Sequence, residues 1–314
     1  MNIIKGYSRR VHVKAFNLIN HILVSYKDKK CKVPNNISSI LDIQYDKKKD
    51  ICKLDIHKPK FISKSLPIII YYHGGGWAVG DKSIYRNFCS LLSGRGFIVF
   101  NINYELTVNK PHPAPIKDCI EGANWIYKNA KIYGGDINNI FIVGDSAGGH
   151  ITGLIGALCS NKEMINTYKE KYNIEVLFKD KLRAIGILCG LNDLRTCYYT
   201  RFHNVRVPIM SEFTEMLLNT EDVFNSKIID ELSISKNITK YFPKTFITTV
   251  ESDPMYGESI DIKSALINNN VAYKMLSFDK SHKKLWHIYQ LDQSLPESQK
   301  CLDEMINYFN RFRI

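Results

Sequence analysis

Apolar positions along the chain follow two different spacings. Residues 11–26, VHVKAFNLINHILVSY, place apolar side chains three and four apart behind Lys5, Arg9 and Arg10, which predicts an amphipathic helix docked on the protein body. Ser39–Tyr45 and Ile51–His57 flank DKKKD, and their alternation predicts an antiparallel hairpin. From Pro67 onward, short apolar runs take turns with helix-spaced segments. The runs predict strands at 67–72, 97–103, 139–144, 183–189, 245–250 and 272–278. The segments predict helices near 82–94, 114–130, 147–160, 258–269 and 296–311. Such alternation builds a mostly parallel central sheet with helices on both faces, an α/β fold. Residues 191–242 break the rhythm with no clear strand, and read as a lid inserted between two core strands. No repeat or linker divides the chain, so 1–314 is expected to be one domain, with 1–38 as an N-terminal helical cap segment.

Composition narrows the function classes. With 314 residues, 45% of them hydrophobic, the chain can bury a large core. No stretch is apolar enough to span a bilayer, so stable membrane insertion is not expected. Asn17, Asn20 and His21 interrupt the first apolar run and no small-residue cleavage site follows, so it does not read as a signal peptide. Membrane-surface binding by this basic helix is the minor alternative. Lys and Arg number 43 against 31 Asp and Glu, a net charge of +12. The lysines are dispersed, and no basic run is interleaved with aromatics, so no nucleic-acid partner is expected. The eight cysteines form no C-x-x-C pair and several sit in apolar runs, which fits reduced thiols and a cytoplasmic location. A homodimer is left open.

Chemistry enters at Leu66–Asp81, LPIIIYYHGGGWAVGD. Consecutive glycines after a strand let backbone come close to a partner, and their N–H groups can receive a phosphate or a transient oxyanion. The second stretch is NNIFIVGDSAGGHITGLIGAL, residues 138–158, which places Gly144-Asp145-Ser146-Ala147-Gly148 between a strand and a helix. Strand, sharp turn and helix are the context of a nucleophile elbow. An elbow draws oxyanion donors from the N–H after the nucleophile and from a loop following an earlier strand. Ala147 and the Gly75–Gly76 pair fit those positions, and no G-K-[ST] follows that would make the glycines a phosphate loop. Trp77 is expected to flank the acyl pocket.

The chain resembles the hormone-sensitive-lipase-like branch of the α/β-hydrolases from about Pro67 to the C-terminus. The matching pieces are HGGGW at 73–77, NYEL before PHPAPIKDCIEGANWIY within 103–127, GGDINNIFIVGDSAGGH at 134–150 and YFPKTFITTVESDP at 241–254. The resemblance implies the α/β-hydrolase fold and carboxylic ester hydrolysis through an acyl-serine intermediate, with no metal and no cofactor. It also implies that the N-terminal helix and the 191–242 insertion together cover the active site. The chain departs from the family where Tyr-x-Leu continues as Thr107-Val108-Asn109, and where the acid motif reads Asp253-Pro254-Met255-Tyr256-Gly257.

Ser146 needs a base, and the base needs an acid to orient it. Asp253 lies at a strand's carboxyl end, where open α/β sheets place their sites. Its alternative role is a helix N-cap, and Glu251 and Glu258 are weaker substitutes. Two histidines follow the last strand, His282 and His287. The lysines after His282 would disfavour an imidazolium there. In the resembled family the histidine precedes a small or apolar residue and then an aromatic, as in His287-Ile288-Tyr289. His73 is expected to brace the glycine loop, and His150 and His203 to be structural. Tyr198, Tyr199 and Phe202 are candidates for the alcohol side, or for lid packing. Arg195, Arg201 and Arg206 read as a solvated lid surface rather than a site for an acidic substrate. The sequence thus predicts a serine carboxylesterase for small, short-acyl esters. An amidase or arylformamidase with the same triad, or a non-catalytic receptor on this fold, are the alternatives.

Overall fold

The computed structural model describes residues 3–202 and 205–314, with the side chains of 3–7, 202, 205 and 206 outside the description. In chain order the elements are α1 (Ile3–Asp28), β1 (Ile37–Gln44), β2 (Lys53–Pro59), β3 (Leu66–Tyr72), α2 (Arg86–Ser93), β4 (Ile98–Ile102), α3 (Ala114–Asn129), β5 (Gly135–Asp145), α4 (Ala147–Leu158), α5 (Lys162–Tyr172) and β6 (Leu182–Leu188). The 191–242 segment follows with α6 (Leu194–Tyr198), β7 (Arg201–Phe202), β8 (Val205–Arg206), α7 (Pro208–Leu218) and α8 (Ile234–Asn237). Then come β9 (Lys244–Val250), α9 (Tyr256–Asn268), β10 (Tyr273–Phe278) and α10 (Pro296–Asn310).

Eight of the described strands make one sheet in the order β1-β2-β4-β3-β5-β6-β9-β10. The β1–β2 and β2–β4 pairs are antiparallel, and the rest are parallel. Strand residues alternate between two cores. Ile68, Ile70, Tyr72, Ile140 and Ile142 join the core that holds Ile116, Ile120, Leu154 and Ile262 of α3, α4 and α9. Ile69, Tyr71, Phe141 and Val143 join the one that holds Phe88, Leu92, Leu302 and Phe309 of α2 and α10. Burial on both faces is why these strands read as unbroken apolar runs.

The expected strands and major helices are present. The 82–94 segment divides into a 3₁₀ turn at Lys82–Tyr85 and then α2. Helix α5 lies outside the expectation because only Met164 and Tyr168, one turn apart, are buried on it. Asn161 caps it by accepting the N–H groups of Glu163 and Met164. Among the described residues, the 191–242 segment contains three short helices and, against the expectation of no clear strand, the two-residue β7–β8 ladder. That ladder is too short for any alternation to register.

Candidate active site

Five neighbouring strands end on one edge of the sheet, and each is followed by a group of the site. The glycine loop follows β3, Ser146 follows β5, Cys189 follows β6, Asp253 follows β9 and His287 follows β10. Parallel register produces this: Tyr72 lies beside Gly144, Gly144 beside Ile187, and Leu188 beside Thr248.

Ser146 sits between β5 and α4 at φ 52° and ψ −119°, a strained backbone for a residue with a side chain. The turn is that sharp only because its flanks are glycine. A Cβ on Gly144 would stand 2.2 Å from the Gly148 carbonyl oxygen, and one on Gly148 would stand 2.0 Å from that of Tyr72.

Ser146 Oγ lies 2.9 Å from His287 Nε2, and His287 Nδ1 lies 2.8 Å from Asp253 Oδ2. The carboxylate fixes the tautomer: Nδ1 carries the proton and donates it, leaving the Nε2 lone pair to accept the serine hydroxyl. Asp253 is buried, and its other oxygen accepts the Met255 N–H at 2.8 Å, so it orients the ring and caps the following turn together. The histidine side chain keeps 23% of its surface exposed, enough to meet a ligand.

The backbone of the histidine loop is held from the N-terminal helix. Lys27 Nζ donates to the carbonyls of His287 at 3.0 Å and Ile288 at 3.2 Å, Ile288 being left-handed at φ 52°. Burial lowers the Lys27 pKa, against the pull of Asp292, Asp145 and Asp253. Lys30 pairs with Asp292 at 2.8 Å, and the Cys31 thiol points at the Leu291 carbonyl. Cys189, also at positive φ, lies beside Asp253 and His287 with ligand atoms within 4.8 Å of one another. Burial pushes that thiol well above its usual range, so it stays protonated next to the carboxylate.

Opposite the serine, the glycine loop is tied down by Asp145. This buried carboxylate accepts the Gly74 N–H at 3.1 Å and the hydroxyls of Tyr71 and Tyr85 at 2.7 and 3.2 Å. Burial raises its pKa to about 6 despite those donors. The Gly75 carbonyl accepts Ala78 and Val79, with φ at Gly75 and Gly76 of +122° and +60°. His73 Nδ1 donates to the Gly74 carbonyl at 2.8 Å and its ring stacks on Tyr104, so it braces the loop. No acceptor among the described residues takes the N–H groups of Gly75, Gly76 or Ala147. Ala147 is the first residue of α4, so its N–H has no partner within the helix.

Residues of the 191–242 segment pack on this loop. A Cβ on Gly76 would lie 2.2 Å from the Phe213 ring of α7. His150 donates from Nε2 to the Leu232 carbonyl at 2.7 Å, and Glu258 accepts the N–H groups of Asn192 and Asp193. Trp77 is wholly buried with its ring edge-on to His150, so it backs the glycine loop and presents no open surface to a substrate.

Other candidates fall elsewhere. His282 pairs with Glu297 at 2.9 Å near the start of α10. Glu251 accepts the Lys280 N–H, and Glu258 is committed to the N–H groups of Asn192 and Asp193. Arg195 is paired with Asp193 and Asp230, and Arg201 is exposed. Tyr198 and Tyr199 pack with Phe224, which favours the lid-packing alternative for them. His203 and the side chains of Phe202 and Arg206 lie outside the described residues. A cavity of about 1070 Å³ opens between α1, the 106–111 stretch and the end of α7, bordered by Val13, Val79, Leu106, Thr107 and Met216.

Sequence reasoning passed over Asp145 and Lys27. Asp145 carries a legible signal, a charge shortly after the apolar run Ile140–Val143 of β5, since a buried carboxylate demands donors. Lys27 carries none, because a lysine in a helix's last turn reads as an ordinary dipole partner.

Comparison with known proteins bears on this geometry. The family model described as BD-FAE matches residues 54–266. The versiconal hemiacetal acetate esterase of Dothistroma septosporum is 24% identical over 82% of this chain and 76% of its own length. The carboxylesterase NlhH of Mycobacterium tuberculosis is 34% identical over 37% of this chain, and the match spans only 36% of that relative. Among solved structures, esterase B of Lactobacillus Rhamnosis superimposes with a TM-score of 0.86 over 99% of this chain and 96% of its own, at 20% identity.

Proposed function

The chain belongs to the BD-FAE family, among the hormone-sensitive-lipase-like α/β-hydrolases, and from that premise we propose that it is a serine carboxylesterase for small, short-acyl esters. The observation that carries the proposal is the relay of Ser146, His287 and Asp253, at 2.9 and 2.8 Å, beneath three uncommitted backbone N–H groups.

The steps follow from these atoms. Ser146 Oγ attacks the ester carbonyl carbon as its proton passes to His287 Nε2, and Asp253 stabilises the imidazolium. The carbonyl oxygen becomes an oxyanion received by the N–H groups of Gly75, Gly76 and Ala147, each such donor being worth about 2.7–4 kcal/mol. Collapse breaks the ester C–O bond, and Nε2 returns the proton to the departing alkoxide. Water then attacks the acyl-serine, His287 takes its proton, and Ser146 leaves with that proton while the acid departs.

The short-acyl reading draws support from the crowding at the glycine loop, where Phe213 packs on Gly76 and Trp77 is buried behind it. The Dothistroma relative is named for an acetate ester. The proposal takes residues 1–314 as one domain, with 1–38 and 191–242 as the cover. It places the protein in the cytoplasm, consistent with eight unbridged cysteines and with no described helix long and apolar enough to cross a membrane. Nucleic acid is not a partner in this reading.

The test is a hydrolysis screen across acyl lengths on esters and anilides, with three variants at equal folded concentration. Acetyl to butyryl aryl esters should exceed those of long chains. Ser146→Ala should lower kcat by on the order of 10⁴–10⁶, His287→Ala nearly as much, and His282→Ala little. Full turnover in Ser146→Ala would refute the serine-hydrolase reading. Preference for anilides would move the protein to the amidases.

A further inference from the structure

Helix α1 is apolar on two sides. Val13, Phe16 and Val24 face the body, with Phe16 edge-on to Phe213. Val11, Leu18, Ile19, Ile22, Leu23 and Tyr26 face outward and are 49 to 63% exposed. At about 100° per residue these six cover roughly 140° of the helix circumference, with exposed Ala15 and His12 inside the arc, His12 being paired with Glu212 of α7 at 2.7 Å. They run for about 22 Å along the axis at ~1.5 Å per residue. A single exposed leucine is ordinary, but a contiguous stripe of this extent on a charged protein marks an interaction surface.

Charge selects the partner. The exposed ionisable side chains from Ser8 to Lys30 are Arg10, His12, Lys14, His21 and Lys29, and none is acidic. Asp28, the single carboxylate of that stretch, is turned inward and accepts the N–H groups of Asn87 and Phe88. No carboxylate among the described residues pairs with Arg10, Lys14 or Lys29. On the same wheel Arg10, Lys14 and His21 line one edge of the stripe, with Lys29 just past its end, and antiparallel pairing of two stripes about a two-fold axis would set that basic edge against its own copy, which repels. An anionic surface attracts that edge and admits the stripe.

We propose that α1 is a peripheral docking helix that seats the protein on an anionic lipid surface, its stripe from Val11 to Tyr26 entering the headgroup boundary while Arg10, Lys14 and Lys29 meet the lipid charge. The helix lies in the surface plane and does not cross it. Lys27, on the body side of the same helix, binds the His287 carbonyl, so the helix that docks is also the one that holds the histidine loop.

The test uses the full chain, co-sedimented with vesicles of phosphatidylcholine alone or with roughly a quarter phosphatidylserine. Wild type should partition onto the anionic vesicles at least about tenfold more strongly, and salt should weaken it. The double variant Leu18→Glu/Ile22→Glu should lose that binding while hydrolysing a soluble aryl acetate at the wild-type rate. Leu18→Gln/Ile22→Gln, read with circular dichroism, keeps the test valid if the glutamates disturb folding. Equal partition onto both vesicle types, or none, would overturn the proposal. So would a concentration-dependent dimer by light scattering that the double variant abolishes, since the stripe would then belong to a second copy. Sedimentation needs no turnover, so failure here is distinct from failure of the esterase reading.

Discussion

Replacing Lys27 with methionine keeps the aliphatic stem and removes an ammonium that grips two consecutive carbonyls at 3.0 and 3.2 Å. Two effects oppose each other. Burial lowers the Lys27 pKa, so desolvation outweighs the attraction of Asp292, Asp145 and Asp253 for its charge. Replacing a buried charge of that kind by an apolar isostere should leave global stability within about 1 kcal/mol. The local effect is larger. Each carbonyl that loses its partner costs about 1–3 kcal/mol, and left-handed Ile288 stores about 1–3 kcal/mol of strain that the loop can then release. A loop that relaxes moves the imidazole, and a shift of about 1 Å costs on the order of 10² in rate. Lys27→Met should therefore lower kcat for an aryl acetate about ten- to hundredfold with KM nearly unchanged, because the carbonyls do not face substrate. Thermal unfolding should stay near wild type, and Lys27→Arg should recover part of the rate. A variant with wild-type kcat, or one whose loss lies wholly in KM, would refute the argument that the helix positions the histidine.

Asp145→Asn keeps the shape beneath the glycine loop but weakens its hold on Gly74, so kcat should fall about ten- to thirtyfold, part of one oxyanion donor's worth. Its melting temperature should not drop, because the substitution also removes a fully buried charge; a large loss of stability with unchanged kcat would count against the assigned role. Acid should destabilise the fold. Burial lowers the pKa values of His57, His112 and His150 to about 4, 3 and 4, so the unfolded chain binds three protons that the fold excludes as pH falls below 6.5. Asp28 and Asp145, raised to about 6 by burial, bind two protons in the fold that the unfolded chain takes up only near 3.8. Burial also raises Glu121, Glu258 and Asp261, which offsets part of the histidine effect, while the lowered Asp55 and Asp81 add to it at lower pH, so stability should fall as pH drops from about 6. Urea midpoints at stepped pH check this, and a midpoint that rises on acidification would contradict it.

The strands were readable in the sequence because both sheet faces are buried, which turns each into an apolar run bounded by turn residues. Ser146 and the glycine loop were readable because their geometry excludes a Cβ at Gly144, Gly148 and Gly76, leaving glycines at fixed places. Helix α5 was obscured by a stripe of two residues, and β7–β8 by having two residues each. The pairing of His287 with Asp253, and of Lys27 with the His287 carbonyl, spans 34 and 260 residues. Contacts between distant elements leave no periodicity, so only the flanking residues single out the histidine, and the lysine leaves no trace at all.

The placement of each group after a different strand has a kinetic consequence. Ser146 is 141 residues from its histidine, and Gly74 is 71 from the carboxylate that fixes it. Such contacts must close long loops, which makes them slow and late during folding. Hairpin β1–β2 and the helices can form by local contacts, whereas the site exists only once β10 has joined the sheet. During refolding, ellipticity should thus recover ahead of turnover, and the rate at which activity returns measures the arrival of the last strand.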